Sequence, residues 1–132
     1  MPFQFSHINS PSASVKIRVA EWGVNPEAAK KRIVFVNGRN EWIEKYEHVP
    51  ELLGLDIKSD YFLTWDHRGQ GASEGTPSYV GDYANYASDM TVIIGDRLGD
   101  KPYQMICHSM GCLLYTSPSP RDATLSRMPS SA

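Results

Sequence analysis

Apolar and polar positions alternate along Val15–Trp22 (VKIRVAEW), with Val15, Ile17 and Val19 on one side and Lys16 and Arg18 on the other. A period of two predicts a half-buried strand. Ile33–Val36 (IVFV) is a continuous apolar run ending at Asn37-Gly38, the pattern of a strand buried on both faces of a parallel sheet. Trp42, Tyr46, Val49 and Leu53 then recur at helical spacing, with Pro50 inside the pattern. A proline there predicts that the helix kinks or restarts. Tyr61–Trp65 (YFLTW) and Tyr103–Cys107 (YQMIC) read as two further short strands. Between them, Tyr83, Ala87, Met90, Ile94 and Leu98 mark an amphipathic helix. The order strand, strand, helix, strand, helix, strand predicts an α/β architecture: a mostly parallel sheet with flanking helices and right-handed crossovers.

The pattern changes at Cys112. Ten of the 21 residues Cys112–Ala132 are Ser, Thr or Pro, and apolar periodicity stops after Tyr115. Such a composition predicts a disordered segment.

Composition narrows the function classes only slightly. The chain has 132 residues, 41% of them hydrophobic and 21% charged, enough for one domain with a modest core. A net charge of −2, with no basic cluster beyond Lys30-Lys31-Arg32, argues against a nucleic-acid surface. The two cysteines, Cys107 and Cys112, have neither disulfide-framework nor metal-site spacing. MPFQFSHINS lacks the charged and apolar regions of a signal peptide, and no apolar run is long enough for a membrane span. The expectation is a soluble protein in a reducing, cytoplasmic setting.

The chemistry concentrates at three places. His108-Ser109-Met110-Gly111 follows the last predicted strand directly. A serine at a strand's carboxyl end, with glycine two residues on, is the signature of a nucleophile elbow: a tight turn lifts the hydroxyl above the sheet edge, and small neighbours let strand and helix approach. Cys107 stands where the usual pattern has glycine, which makes the elbow a variant. Acyl transfer also needs preorganised N–H donors for the oxyanion. The amide of Met110 is one candidate. The other is the amide of Arg39, in the turn Asn37-Gly38-Arg39-Asn40 after IVFV. The third place is Asp66–Gly75 (DHRGQGASEG). It has G-x-G after a strand but neither GxGxxG nor GK[ST], so it reads as a tight structural loop beside the site rather than a phosphate cradle.

NGRNEWIEKY, DHRGQGASEG and CHSMG, in this order and spacing, resemble the serine α/β-hydrolase superfamily. The nearest branch is the lysophospholipase and monoacylglycerol-lipase-like hydrolases grouped with serine aminopeptidases. Asn37 departs from that branch's usual His or Pro. The resemblance covers about Lys16 to Gly111. It implies the N-terminal part of an α/β-hydrolase fold. It also implies Ser109 as nucleophile, the Arg39 and Met110 amides as oxyanion hole, an acyl-enzyme mechanism on an acyl-ester substrate such as a lysophospholipid or monoacylglycerol, and no metal or organic cofactor. Relatives that cleave epoxides or carbon–halogen bonds usually carry Asp at the nucleophile, so Ser109 argues against those reactions. The full-length protein is expected to bind no nucleic acid, with room for peripheral contact at a membrane's inner face. An aminopeptidase, another carboxylesterase or a non-catalytic scaffold of the same fold stays open.

The family triad runs Ser, then Asp or Glu, then His. After Ser109 the only acid is Asp122 and there is no histidine; His7, His48, His67 and His108 all precede it. His67 and His108 do not match the base position, and His7 and His48 read as surface residues. Cys112–Ala132 resembles a translated sequencing-library adapter, CLLYTSPSPRD and SRMPSSA flanking Ala123–Leu125. The expectation is therefore that residues 1–111 are the N-terminal portion of a hydrolase domain, that 112–132 are a non-native tail, and that the fragment by itself is inactive.

Overall fold

The computed structural model describes residues 3–10, 15–38, 41–74, 83–108 and 123–127. Six strands, β1 (Gln4–Asn9), β2 (Lys16–Gly23), β3 (Lys31–Val36), β4 (Asp60–Trp65), β5 (Tyr103–Cys107) and β6 (Ala123–Arg127), form one sheet in the order β1-β2-β4-β3-β5-β6. β1 and β2 are antiparallel to each other, and β2 is antiparallel to β4. The pairs β4–β3, β3–β5 and β5–β6 are all parallel. The expected mostly parallel α/β sheet is the observed one.

The apolar runs form the middle of the sheet because both of their faces are covered. In β3, Val34 and Val36 enter one core cluster and Ile33 and Phe35 the other. Every residue of β4 is buried. β2 departs from the half-buried expectation: Ile17 and Val19 face one cluster, but Ala20 and Trp22 are buried in the other. The reason is its place between β1 and β4, one step inside the sheet edge.

One face is covered by α2 (Tyr83–Leu98), whose Tyr86, Met90, Ile93, Ile94 and Leu98 enter the first cluster. The buried stripe runs through Tyr86 rather than Ala87, and it includes a carboxylate, Asp89, at 2% exposure. The other face is covered by residues 43–57. These form a 3₁₀ turn (Ile43–Tyr46) and a single α-turn, α1 (Val49–Leu52), rather than one helix. Pro50 sits in the first turn of α1, where its missing N–H costs nothing. The helix thus restarts at the proline, as its position predicts.

Two strands fall outside the sequence expectation. β1 has no buried apolar stripe of its own and depends on its antiparallel pairing with β2. β6 falls inside the stretch read as a structureless tail. Its backbone pairs with β5 from Tyr103↔Ala123 to Cys107↔Arg127, satisfying polar groups that an edge would leave open. The rest of that tail lies outside the described residues.

Candidate functional site

Parallel pairing fixes where the loops that bear the expected site residues emerge. Val36 of β3 is level with Cys107 of β5, and the His108 amide donates to the Val36 carbonyl at 3.0 Å. The chain therefore leaves β3 at Asn37-Gly38 and leaves β5 at His108 on the same sheet edge, from neighbouring strands about 4.8 Å apart. Arg39, Ser109 and Met110, the three expected site residues, lie outside the described residues. Arg39 directly follows the first of these exits and Ser109 the second, with Met110 one residue further on.

The first exit is held by side chains. Asn37 is buried and donates from Nδ2 to the Trp65 carbonyl at 3.1 Å, while its own carbonyl accepts from His67 Nε2 at 3.0 Å. Gln70 Nε2 donates to the Gly38 carbonyl at 3.2 Å and to the Glu41 carbonyl at 3.1 Å. The glycine-rich loop after β4 thus braces the turn after β3, consistent with a structural rather than phosphate-binding part.

That loop is in turn organised by Asp66, whose side chain is fully buried. Its Oδ1 accepts the Ile43 amide at 2.8 Å; its Oδ2 accepts the Ala72 amide at 3.0 Å and Arg18 Nε at 2.9 Å. Gly71 shows why the loop needs glycine. Its φ is +51°, and a Cβ there would fall 2.4 Å from the Asp66 carboxyl carbon. A second ion pair ties the loop to α2: Arg68 Nε and Nη2 each lie 2.8 Å from an Asp89 carboxylate oxygen, in a bidentate fork. This pairing is what permits a carboxylate on the buried face of α2.

His67 is completely buried in the loop. A carbonyl can only accept, so Nε2 carries the proton that bonds Asn37, leaving Nδ1 as a lone pair. Burial pushes this ring well below the ordinary histidine range, against the opposing pull of the Asn37 carbonyl, Asp89, Asp66 and Glu41. The unfolded chain takes up a proton near pH ~6.5 that the native ring does not. Stability is therefore full above that pH and falls as the pH drops through it, by at most about 1.4 kcal/mol per pH unit from this residue. Urea unfolding between pH 7 and 5 should show this decline, and His67→Gln, which keeps a donor for Asn37, should flatten it. Equal slopes in the two proteins would rule out a neutral His67.

At the rim, Glu41 gathers donors from both exits. Its Oε1 accepts the Gly38 amide at 2.5 Å and lies 3.3 Å from His108 Nδ1; its Oε2 lies 3.1 Å from Lys45 Nζ. Burial pushes the carboxyl up. Hydrogen bonds from Tyr46, the Gly38 amide, Lys45 and His108 outweigh that and hold it below the usual carboxylate range. The Tyr46 hydroxyl, buried beside this carboxylate, is pushed well above its ordinary value. Sequence reasoning assigned Glu41 no role. The signal was present in the NGRNEWIEKY pattern, whose Glu, Lys and Tyr positions are the three side chains that meet here.

No group of three or more His, Cys, Asp or Glu among the described residues is placed to hold a metal ion. No helix among them is long and apolar enough to cross a membrane. His7 and His48 are exposed, as their reading as surface residues anticipates. A cleft of about 390 Å³, lined by Gln4, Glu21, Trp22 and Tyr61, lies toward the opposite end of β4 from the reactive edge.

Comparison with solved structures places this architecture. The chain resembles a thioesterase domain from the curacin biosynthetic pathway at TM-score 0.73 and 19% identity, covering 89% of this chain and 41% of that one. It resembles epoxide hydrolase A from Mycobacterium thermoresistibile at TM-score 0.65 and 20% identity, covering 86% of this chain and 33% of that one. The Cif epoxide hydrolase from Acinetobacter nosocomialis gives TM-score 0.67 and 23% identity, over 88% of this chain and 33% of that one. These likenesses establish the α/β-hydrolase fold. The chain spans well under half the length of each. No curated protein matches at a significant level. The model of the family described as serine aminopeptidase, S33, matches residues 27–126, which include both strand exits, the Glu41 cluster and the Asp66 loop. The chain belongs to this serine aminopeptidase S33 family of α/β-hydrolases.

Proposed function

We propose that this chain carries the nucleophile half of a serine hydrolase that cleaves acyl esters, of lysophospholipid or monoacylglycerol type, through an acyl-enzyme. The observation that carries the proposal is the adjacency of the two strand exits. β3 and β5 pair in register up to Val36 and Cys107, so the turn bearing Arg39 and the turn bearing Ser109 and Met110 start side by side. Ser109 Oγ attacks the ester carbonyl, and the Arg39 and Met110 amides receive the oxyanion. The Gly38 amide is already engaged by Glu41, which supports the next amide, that of Arg39, as the donor. The alcohol leaves, and water releases the acid from Ser109. The triad's acid and histidine come from sequence beyond this half in the full-length protein, in keeping with the 32–41% of the solved relatives' length that the chain spans.

The family description favours a second reading, in which the same serine opens an amide bond at a peptide's amino terminus. One experiment separates the readings. The gene's genomic sequence is followed past codon 111, where we expect it to depart from CLLYTSPSPRD, and the full-length product is assayed. Hydrolysis of p-nitrophenyl butyrate and of a monoacylglycerol is expected. Cleavage of aminoacyl p-nitroanilides in their place would establish the peptidase. A folded protein that cleaves neither would be a non-catalytic scaffold. Genomic sequence encoding CLLYTSPSPRD would overturn the reading of residues 112–132 as non-native.

A further inference from the structure

We infer that Glu41 is a positioning residue whose carboxylate clamps together the two backbone turns that form the oxyanion hole; the inference rests on the serine-hydrolase reading above. One oxygen, Oε1, spans both turns, at 2.5 Å from the Gly38 amide and 3.3 Å from His108 Nδ1. Gly38 immediately precedes Arg39, and His108 immediately precedes Ser109. The clamp therefore acts through a backbone amide one residue before Arg39 and through a side chain one residue before Ser109 and two before Met110.

Only an ionised carboxylate suits this position. Four donors converge on it: a backbone amide, an imidazole N–H, the Lys45 ammonium and the Tyr46 hydroxyl. A carboxylate has about four lone-pair sites and no proton of its own to clash with them. Its side chain is only 8% exposed, so bonds to it are weakly screened. A carboxylate can only accept, so the contact between Glu41 Oε1 and His108 Nδ1 is one in which the imidazole donates. Lys45, about half exposed, adds little by itself. Gln70 donates to the carbonyls of Gly38 and Glu41, so Gly38 is held at both its N–H and its carbonyl. An oxyanion donor works only if its N–H is aimed before the charge develops, and a loose turn loses that preorganisation.

The test uses the full-length protein with Glu41→Ala and the isosteric Glu41→Gln, which keeps one acceptor and the side-chain volume. Turnover is expressed per site competent to react with a fluorophosphonate, so misfolded protein does not count. The Gly38 amide is followed by ¹⁵N NMR. Expected for Glu41→Ala are loss of the downfield Gly38 signal and a fall in kcat of about 10²–10³-fold, with KM close to wild type. Glu41→Gln should lie between this variant and wild type. Wild-type kcat in both variants, with the Gly38 signal displaced, would overturn the positioning role while leaving the serine-hydrolase reading intact. A folded wild-type protein that shows the Gly38 signal yet hydrolyses no acyl ester would sink that reading, and the positioning role with it.

Discussion

Replacing Ser109 by alanine should reduce kcat of the full-length hydrolase by about 10⁶-fold, the loss seen when a serine nucleophile that acts as a unit with its base is removed. The magnitude follows from the mechanism. Without the hydroxyl no acyl-enzyme can form, and what remains is direct attack by water, helped only by the oxyanion donors and by substrate binding. A loss that large, about 8 kcal/mol of transition-state stabilisation, exceeds anything a packing defect at one small side chain would cause. KM should change little, since the hydroxyl contributes to chemistry rather than to holding the acyl chain. Hydrolysis assays with an acyl p-nitrophenyl ester read both constants. A folded Ser109→Ala protein that kept more than about a hundredth of wild-type kcat would place the nucleophile elsewhere.

The second large effect concerns stability. Asp66→Ala should lower the unfolding free energy by about 3–5 kcal/mol, the usual cost of removing one partner of a buried ion pair. The Asp66 carboxylate is fully buried and holds the Ile43 amide, the Ala72 amide and Arg18. Alanine strands the buried Ile43 amide, frees the Ala72 amide that closes the loop, and takes away the buried partner of Arg18. Glu44 still pairs that guanidinium at 2.7 Å, but Glu44 is 43% exposed and restores little. Asp66→Asn should rescue only in part. Its oxygen can keep the Ile43 bond, but its amide group would turn protons toward the Ala72 N–H and Arg18. Urea midpoints at constant slope provide the measurement. A loss under about 1 kcal/mol would mean that the loop does not depend on this carboxylate. Because the same loop braces Gly38 and Glu41 through Gln70, Asp66 supports the reactive edge as well as the core.

How much of this was legible in the chain follows from where each signal lies. β3, β4 and β5 are apolar runs because both of their faces are covered, and a run of that kind marks itself without reference to neighbours. The Asn37-Gly38 and His108 exits were legible for the same reason, as the first polar residues after such runs. β1 was not, because it is held by edge pairing rather than by buried side chains of its own. On α2, Met90, Ile94 and Leu98 were legible from helical spacing, but the core takes Tyr86 in place of Ala87, and Asp89 joins the buried face only because Arg68, 21 residues earlier, pairs with it. Glu41 stood in the NGRNEWIEKY pattern without a role; only the folding of β5 beside β3 brings His108 to it. β6 lies where apolar periodicity is absent, and its pairing with β5 is a backbone property that side-chain pattern does not report.

The claim on which the functional account depends is geometric: adjacent exits from β3 and β5 place the Ser109 hydroxyl beside the amides of Arg39 and Met110. A crystal structure of the full-length protein after reaction with a fluorophosphonate tests it most directly. Phosphorus is expected on Ser109 Oγ, with the phosphonyl oxygen about 2.7–3.1 Å from both amide nitrogens. An adduct on another residue, or a phosphonyl oxygen out of reach of the Arg39 amide, would contradict it.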